Sequence, residues 1–186
     1  MKQYDVVALG ELLIDFTQNG LSPQGNPLFE ANPGGAPCNV LAMLTGLGDR
    51  TAFIGKVGKD MHGAFLKRTL QNEGIAVDHL IEDDKYFTTL AFVEIDENGE
   101  RKFSLARKPG ADMMLTEKEV RPELLSDCRI FHFGSLSMTD EGVRAATKHA
   151  IQVAKEAGAL ISFDPNLRPP LWDSLDAAKE QIAYGM

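Results

Sequence analysis

The chain has 186 residues, a length that suits one domain of the usual ~100 to 200 residues and leaves little for a second. A hydrophobic share of 44% and a charged share of 25% argue against disordered, collagen-like and disulfide-scaffold classes. Subtracting 27 Asp and Glu from 19 Lys and Arg leaves a net charge of −8, which repels a phosphate backbone and speaks against a nucleic-acid binder, short of a local basic site.

Val6 to Leu9 is a short apolar run ended by Gly10, the pattern of a strand buried on both faces. It is too short for a signal peptide or a membrane span. The segment from Glu11 to Phe29 carries Asn19-Gly20, Pro23, Gly25 and Pro27, so at most short strands joined by turns are expected there, as an excursion from the main sheet. Pro37 to Leu47 has apolar residues at helical spacing, with Gly46 and Gly48 as stop signals. Thr51 to Val57 reads as a strand, and Lys59 to Glu73 as a helix stopped by Gly74.

Two runs break this alternation. Phe87 to Ile95 and Arg101 to Ala106 have strand composition, and Asn98-Gly99 between them is a hairpin signal. In the first run Leu90 and Phe92 alternate with Ala91, Val93 and Ile95, so both faces are apolar and each should be covered. The alternation resumes with a strand at Ile130 to Phe133, a helix at Thr139 to Ala157, a strand at Ala159 to Phe163 and a helix starting at Trp172. The expectation is one α/β unit over residues 1–186, with a mostly parallel sheet and a small β element near residues 11–29 and 87–107. Ligands of such sheets sit beyond the carboxyl ends of the strands.

Three pieces fall at such ends. Asp15 follows an apolar run and can accept hydrogen bonds from a polyol, although a solvated turn acid is the plainer account. Pro33-Gly34-Gly35-Ala36-Pro37-Cys38-Asn39 opens a helix: its glycines let backbone approach a ligand, the first helical turn offers free N–H groups, and Asn39 presents both a donor and an acceptor. A tight strand-to-helix turn with Pro37 as initiator explains the same residues. Phe163-Asp164-Pro165-Asn166-Leu167-Arg168-Pro169-Pro170 follows a strand, and its prolines should hold it extended. Arg168 there can face an anion, or pair with Asp164 or Asp173.

Other motifs are absent. No Walker sequence surrounds Gly55-Lys56, and no Gly-x-Gly-x-x-Gly follows the first strand. Cys128 and His132 lie four apart, with Cys38, His62, His79 and His149 scattered elsewhere, which gives zinc poor support. Cys38 and Cys128 are too few and too distant for a disulfide framework, which fits a reducing cytoplasm.

Pro33 to Val40, followed by Phe53-Ile54-Gly55-Lys56-Val57-Gly58-Lys59-Asp60-Met61-His62-Gly63, resembles the amino-terminal signature of the PfkB (ribokinase-like) carbohydrate kinases. Pro109-Gly110-Ala111-Asp112-Met113, Phe131 to Ser135 and Phe163 to Trp172 resemble the fructokinase branch. The resemblance implies a three-layer α/β fold with a β lid over a sugar. It implies that Asp15 and Asn39 bind sugar hydroxyls, that the Gly34-Gly35 backbone packs on the sugar, and that Phe103 or Arg107 contributes from the lid. Asn166 and Arg168 match positions near the junction of sugar and phosphate.

The implied reaction is transfer of the γ-phosphoryl group of ATP, with Mg2+, to fructose or a related ketose. Alternative substrates are 2-keto-3-deoxygluconate, ribose or a nucleoside. The Gly-Ala-Gly-Asp segment that supplies the family's catalytic Asp does not occur in residues 1–186, nor does its Asn-x-x-Glu element. The expectation is therefore a sugar-recognising amino-terminal part that is inactive alone, or else a non-catalytic sugar-binding or dimerising remnant. Lid-to-lid homodimerisation is also expected, because the hairpin has a second apolar face.

Overall fold

The computed structural model describes the backbone of residues 2–95 and 101–186, and the side chains outside residues 94–103. Along the chain run β1 (Tyr4–Leu9), β2 (Leu13–Leu21), β3 (Pro27–Gly34), α1 (Ala36–Gly46), β4 (Thr51–Gly58), α2 (Met61–Asn72) and β5 (Ala76–Asp83). There follow β6 (Leu90–Ile95), β7 (Arg101–Ala106), α3 (Pro122–Ser126), β8 (Cys128–Gly134), α4 (Glu141–Glu156), β9 (Leu160–Asp164) and α5 (Leu175–Gly185).

The five strands β5-β4-β1-β8-β9, in that order, pair in parallel throughout. Their side chains alternate between two helical layers, as a period of two requires. Val7 and Leu9 enter a core shared with Leu125 of α3, Ala146 and Ala150 of α4 and Ala178 of α5. Val6 and Ala8 enter the opposite core, with Leu41 of α1 and Leu66 and Leu70 of α2. Burying each large aliphatic or aromatic side chain contributes about 1.5–3 kcal/mol, so β1, buried on both faces, anchors the unit. Among the described residues no helix is long and apolar enough to cross a membrane.

The second sheet is the lid, in the order β3-β2-β6-β7. It corrects the expected boundaries. Residues 11–29 were expected to hold only short strands, but β2 and β3 have nine and eight residues and extend the lid to Gly34. Asn19-Gly20 causes only a register shift between Gln18 and Leu21, while the reversal falls at Ser22 to Asn26. On the second segment the strand starts at Leu90 rather than Phe87, because Thr88 and Thr89 are engaged by Asp60 and Asp112. The Asn98-Gly99 turn lies outside the described residues.

Coverage of the lid is unequal. Ala91 and Val93 are buried, whereas Phe92 stacks on Phe16, meets Phe29 edge-on and stays 36% exposed. Three further differences have local causes. Strand β5 was not expected, since Asp78, Glu82 and Asp83 break its apolar pattern; it is an edge strand and buries mainly Val77 and Leu80. Pro169–Leu171 forms a 3-10 turn instead of staying extended, because proline's fixed φ and missing N–H suit a first helical turn. The last helix begins at Leu175, not Trp172, capped by the Ser174 hydroxyl accepting from the Ala177 amide at 3.1 Å.

Candidate functional site

After β1 the chain goes to β4 and β5 on one side and later returns through β8 on the other, so the crevice between β1 and β8 is a topological switch point. Gly10-Glu11 leaves β1 there and Gly134-Ser135 leaves β8.

Strand β2 pairs with β3 so that Leu13 opposes Gly34 and Asp15 opposes Asn32. A Cβ on Gly34 would lie 2.3 Å from Asp15 Oδ2, so only glycine lets the carboxylate rest against this backbone. Gly35 has φ +128, and a Cβ there would meet the Glu11 carbonyl oxygen at 2.3 Å. The turn is thus threaded between Asp15 and Glu11. It delivers the chain into α1 with Pro37 in the first turn, and Asn39 stands exposed on that turn. Partial burial raises the Asp15 carboxyl above its ordinary range.

Beneath the turn lies a group of buried polar residues, of which Glu11 was not singled out by the sequence motifs. Glu11, 4% exposed, accepts from the Ala36 amide at 2.9 Å through Oε1, and its Oε2 has no hydrogen-bond partner among the described residues. Burial pushes its carboxyl up to about 7; Asp112 adds to this, while the Ala36 amide and Arg107 oppose it. The only local signal was an acid directly after a buried strand.

Arg107, expected to contribute from the lid, is held by protein partners in the structure. Its side chain is buried, with Nε 2.8 Å and Nη2 2.7 Å from Asp112 Oδ2, and with bonds to the Leu136 carbonyl and the Thr139 hydroxyl. Thr89 donates to the other Asp112 oxygen. A guanidinium this deep requires such a full set of acceptors.

The Gly58-x-Asp60-x-x-Gly63 stretch has a structural explanation. Asp60 accepts from the His62 and Gly63 amides at the start of α2 and from the amide and hydroxyl of Thr88, below the lid. Burial alone would raise its carboxyl, but these donors outweigh it and hold the group below the ordinary range. A Cβ on Gly63 would lie 2.0 Å from the Gly58 carbonyl oxygen, which explains the second glycine.

Asn166 and Arg168 lie beyond β9, two strand positions from β1 and so roughly 10 Å along the sheet. Asn166 has φ 25, and its amide donates to Asp164 at 3.1 Å. Arg168 is exposed and donates to the Leu167 carbonyl; among the described residues it has no ion pair with Asp164 or Asp173. The Phe103 side chain lies outside the described residues, though its backbone pairs with Val93. The structure brings Asp15, Gly34 and Gly35 together, sets Asn39 beside them on α1, and leaves Asn166 and Arg168 on a separate loop of the same sheet end.

The two sheets, the switch point and the lid define a ribokinase-like α/β protein. The model of the pfkB family of carbohydrate kinases matches residues 3–185, and the chain belongs to that family. Fructokinase-2 of Solanum habrochaites is 48% identical over 179 residues, covering 95% of this chain and 55% of the relative. The crystal structure of fructokinase from Xylella fastidiosa has a TM-score of 0.92 at 36% identity, covering 97% of this chain and 56% of that one. Fructokinase from Xylella fastidiosa with bound ATP gives 0.90 at 36% identity, over 97% and 54%. The chain spans about half the length of these relatives.

Among the described residues no three His, Cys, Asp or Glu side chains are grouped to hold a cation. Asp60, Asp83, Asp112 and Glu119 are already engaged by protein donors.

Proposed function

We propose that this chain is the sugar-recognising part of a fructokinase-type enzyme, whose reaction moves the γ-phosphoryl group of ATP to fructose or a related ketose. The observation that carries this reading is the Asp15–Gly34 contact: a partly buried carboxylate held against side-chain-free backbone, with an exposed asparagine on the adjoining helical turn. Such a surface suits a polyol. The carboxylate accepts from two hydroxyls, Asn39 both donates and accepts, and the glycine backbone lies flat against the ring.

In this reading Asp15, Gly34, Gly35 and Asn39 hold and orient the sugar. Asn166 and Arg168 approach the end that receives phosphate. Orientation alone accounts for a large part of the barrier reduction in phosphoryl transfer, so a substrate half can hold much of the specificity without the base. The identity to fructokinases supports the ketose. The absence of a Gly-Ala-Gly-Asp segment from residues 1–186 supports inactivity of this chain alone. The two unpaired, buried cysteines support action in the cytoplasm. Exposed Phe29, Phe87 and Phe92 support pairing of two lids.

Calorimetry with fructose, alongside a coupled assay for ATP-dependent phosphorylation, tests the reading. Binding at millimolar fructose or below without turnover is expected. Absence of any binding, or robust phosphorylation by the 186-residue chain, contradicts it. A second reading, a sugar acid such as 2-keto-3-deoxygluconate, is favoured by the exposed Arg168 guanidinium, which has no ion pair among the described residues, and predicts tighter binding of the acid than of fructose.

A further inference from the structure

Glu11 takes no part in the sugar contacts proposed above, yet it touches the turn that makes them. Its Oε1 holds the Ala36 amide, its own carbonyl oxygen lies where a Gly35 side chain would stand, and its Oε2 is buried without a partner among the described residues. The neighbouring acids have fuller sets of donors: buried Asp112 has Arg107 and Thr89, and half-buried Asp60 has three amides and a hydroxyl. A buried carboxylate oxygen without a donor is costly, and the Oε1 bond goes to the helix that carries Asn39.

We infer that Glu11 is a positioning residue for the sugar site, a proton-controlled clamp that pins the Gly34-Gly35 turn and the first turn of α1 to the end of β1. This rests on the sugar reading of Asp15 and Asn39. As a carboxylate, Glu11 makes a charge-assisted bond to an amide at a helix N-terminus, where the helix dipole favours negative charge; as a neutral acid it makes a weaker one. The clamped arrangement is therefore more populated with Glu11 charged. Its titration falls near neutrality because burial disfavours the charge.

The groups facing Glu11 come from three elements. Arg107, after β7, and Asp112, in the 3-10 turn Ala111–Met114, are paired with each other and add no net charge together. Cys38 of α1 is a neutral thiol, since burial and then the Glu11 charge push it well above its ordinary range. Asp15 of β2 meets the turn on its other side, at Gly34.

The test is fructose calorimetry at pH 6 and pH 8 on the intact 186-residue chain, with Glu11→Gln and Glu11→Ala. It is joined by NMR titration of the Glu11 carboxyl carbon and the Ala36 amide nitrogen. Fructose affinity of the native chain should rise about three- to ten-fold from pH 6 to pH 8. Glu11→Gln, which keeps an acceptor for Ala36 but cannot ionise, should bind with no such rise. Glu11→Ala should bind about ten-fold more weakly than Glu11→Gln at both pH values. By reciprocity, saturating fructose should move the Glu11 titration to lower pH.

A flat native profile, or an equal rise in Glu11→Gln, overturns the clamp. If fructose fails to bind at either pH, the sugar reading fails, and the Ala36 nitrogen then decides the clamp by itself. A shift that follows the Glu11 carboxyl carbon supports it, and a shift that does not follow overturns it.

Discussion

Gly34 and Asp15 exclude one another's larger neighbours: a methyl group on residue 34 would sit 2.3 Å from the Asp15 carboxylate oxygen. Gly34→Ala must therefore displace Asp15 or the turn, at a cost of about 1–3 kcal/mol. Calorimetry should show fructose affinity falling at least ten-fold. Gly46→Ala, at the end of α1 where a Cβ meets nothing within 4 Å, is the control. It should leave affinity unchanged and raise stability by about 0.5–1 kcal/mol.

Glu11 makes stability depend on pH in a direction opposite to that of a salt-bridged acid. Its carboxyl stands at about 7 in the folded chain against an ordinary 4.5, so between those values the native state binds the extra proton. Stability then falls as pH rises through that window, by on the order of 3 kcal/mol, and is level above it. Urea melts from pH 4.5 to 8 should show this decline in the native chain and a flatter profile in Glu11→Gln. Equal slopes in the two would contradict it.

Removing one member of the buried Arg107–Asp112 pair strands the other charge. Arg107→Met or Asp112→Leu alone should cost about 3–5 kcal/mol, while the double variant should cost clearly less than the two singles summed. Denaturant melts of all four proteins give the cycle, and additive costs would mean the pair is not coupled.

Asp60→Ala deletes the α2 cap and the bonds that tie Thr88 to it. The expected loss is about 2–4 kcal/mol, above the usual value for a cap, because the Thr88 amide is left with no acceptor. Asp60→Asn should recover part of the loss, and thermal melts order the three proteins.

Two apolar surfaces predict association. Leu160 on β9 is 70% exposed beside a strand edge that has no partner among the described residues, and the lid presents Phe29, Phe87 and Phe92. Light scattering should show concentration-dependent growth. Phe92→Glu should reduce it if the lids pair, whereas relief only by Leu160→Lys would place the contact at the β9 edge.

Much of the architecture was legible because it rests on local rules. Val6 to Leu9 had to be buried on both faces, Gly74 and Gly158 had to stop helices, and Asp15, Gly34, Gly35 and Asn39 stood in a recognisable pattern. The lid's extent was harder to read. Asn19-Gly20 is a turn signal by composition, but pairing with β3 carries β2 past it, since cross-strand bonds outweigh a local preference.

What the sequence by itself determined is the alternation of strands and helices, which follows from spacing along the chain, and the resemblance of its motifs to the family. What only the tertiary structure decided is how the charges are used. Arg107 forms a buried ion pair, Asp60 is a double anchor, and Glu11 has a raised carboxyl, since burial and partner choice depend on residues up to about a hundred positions apart.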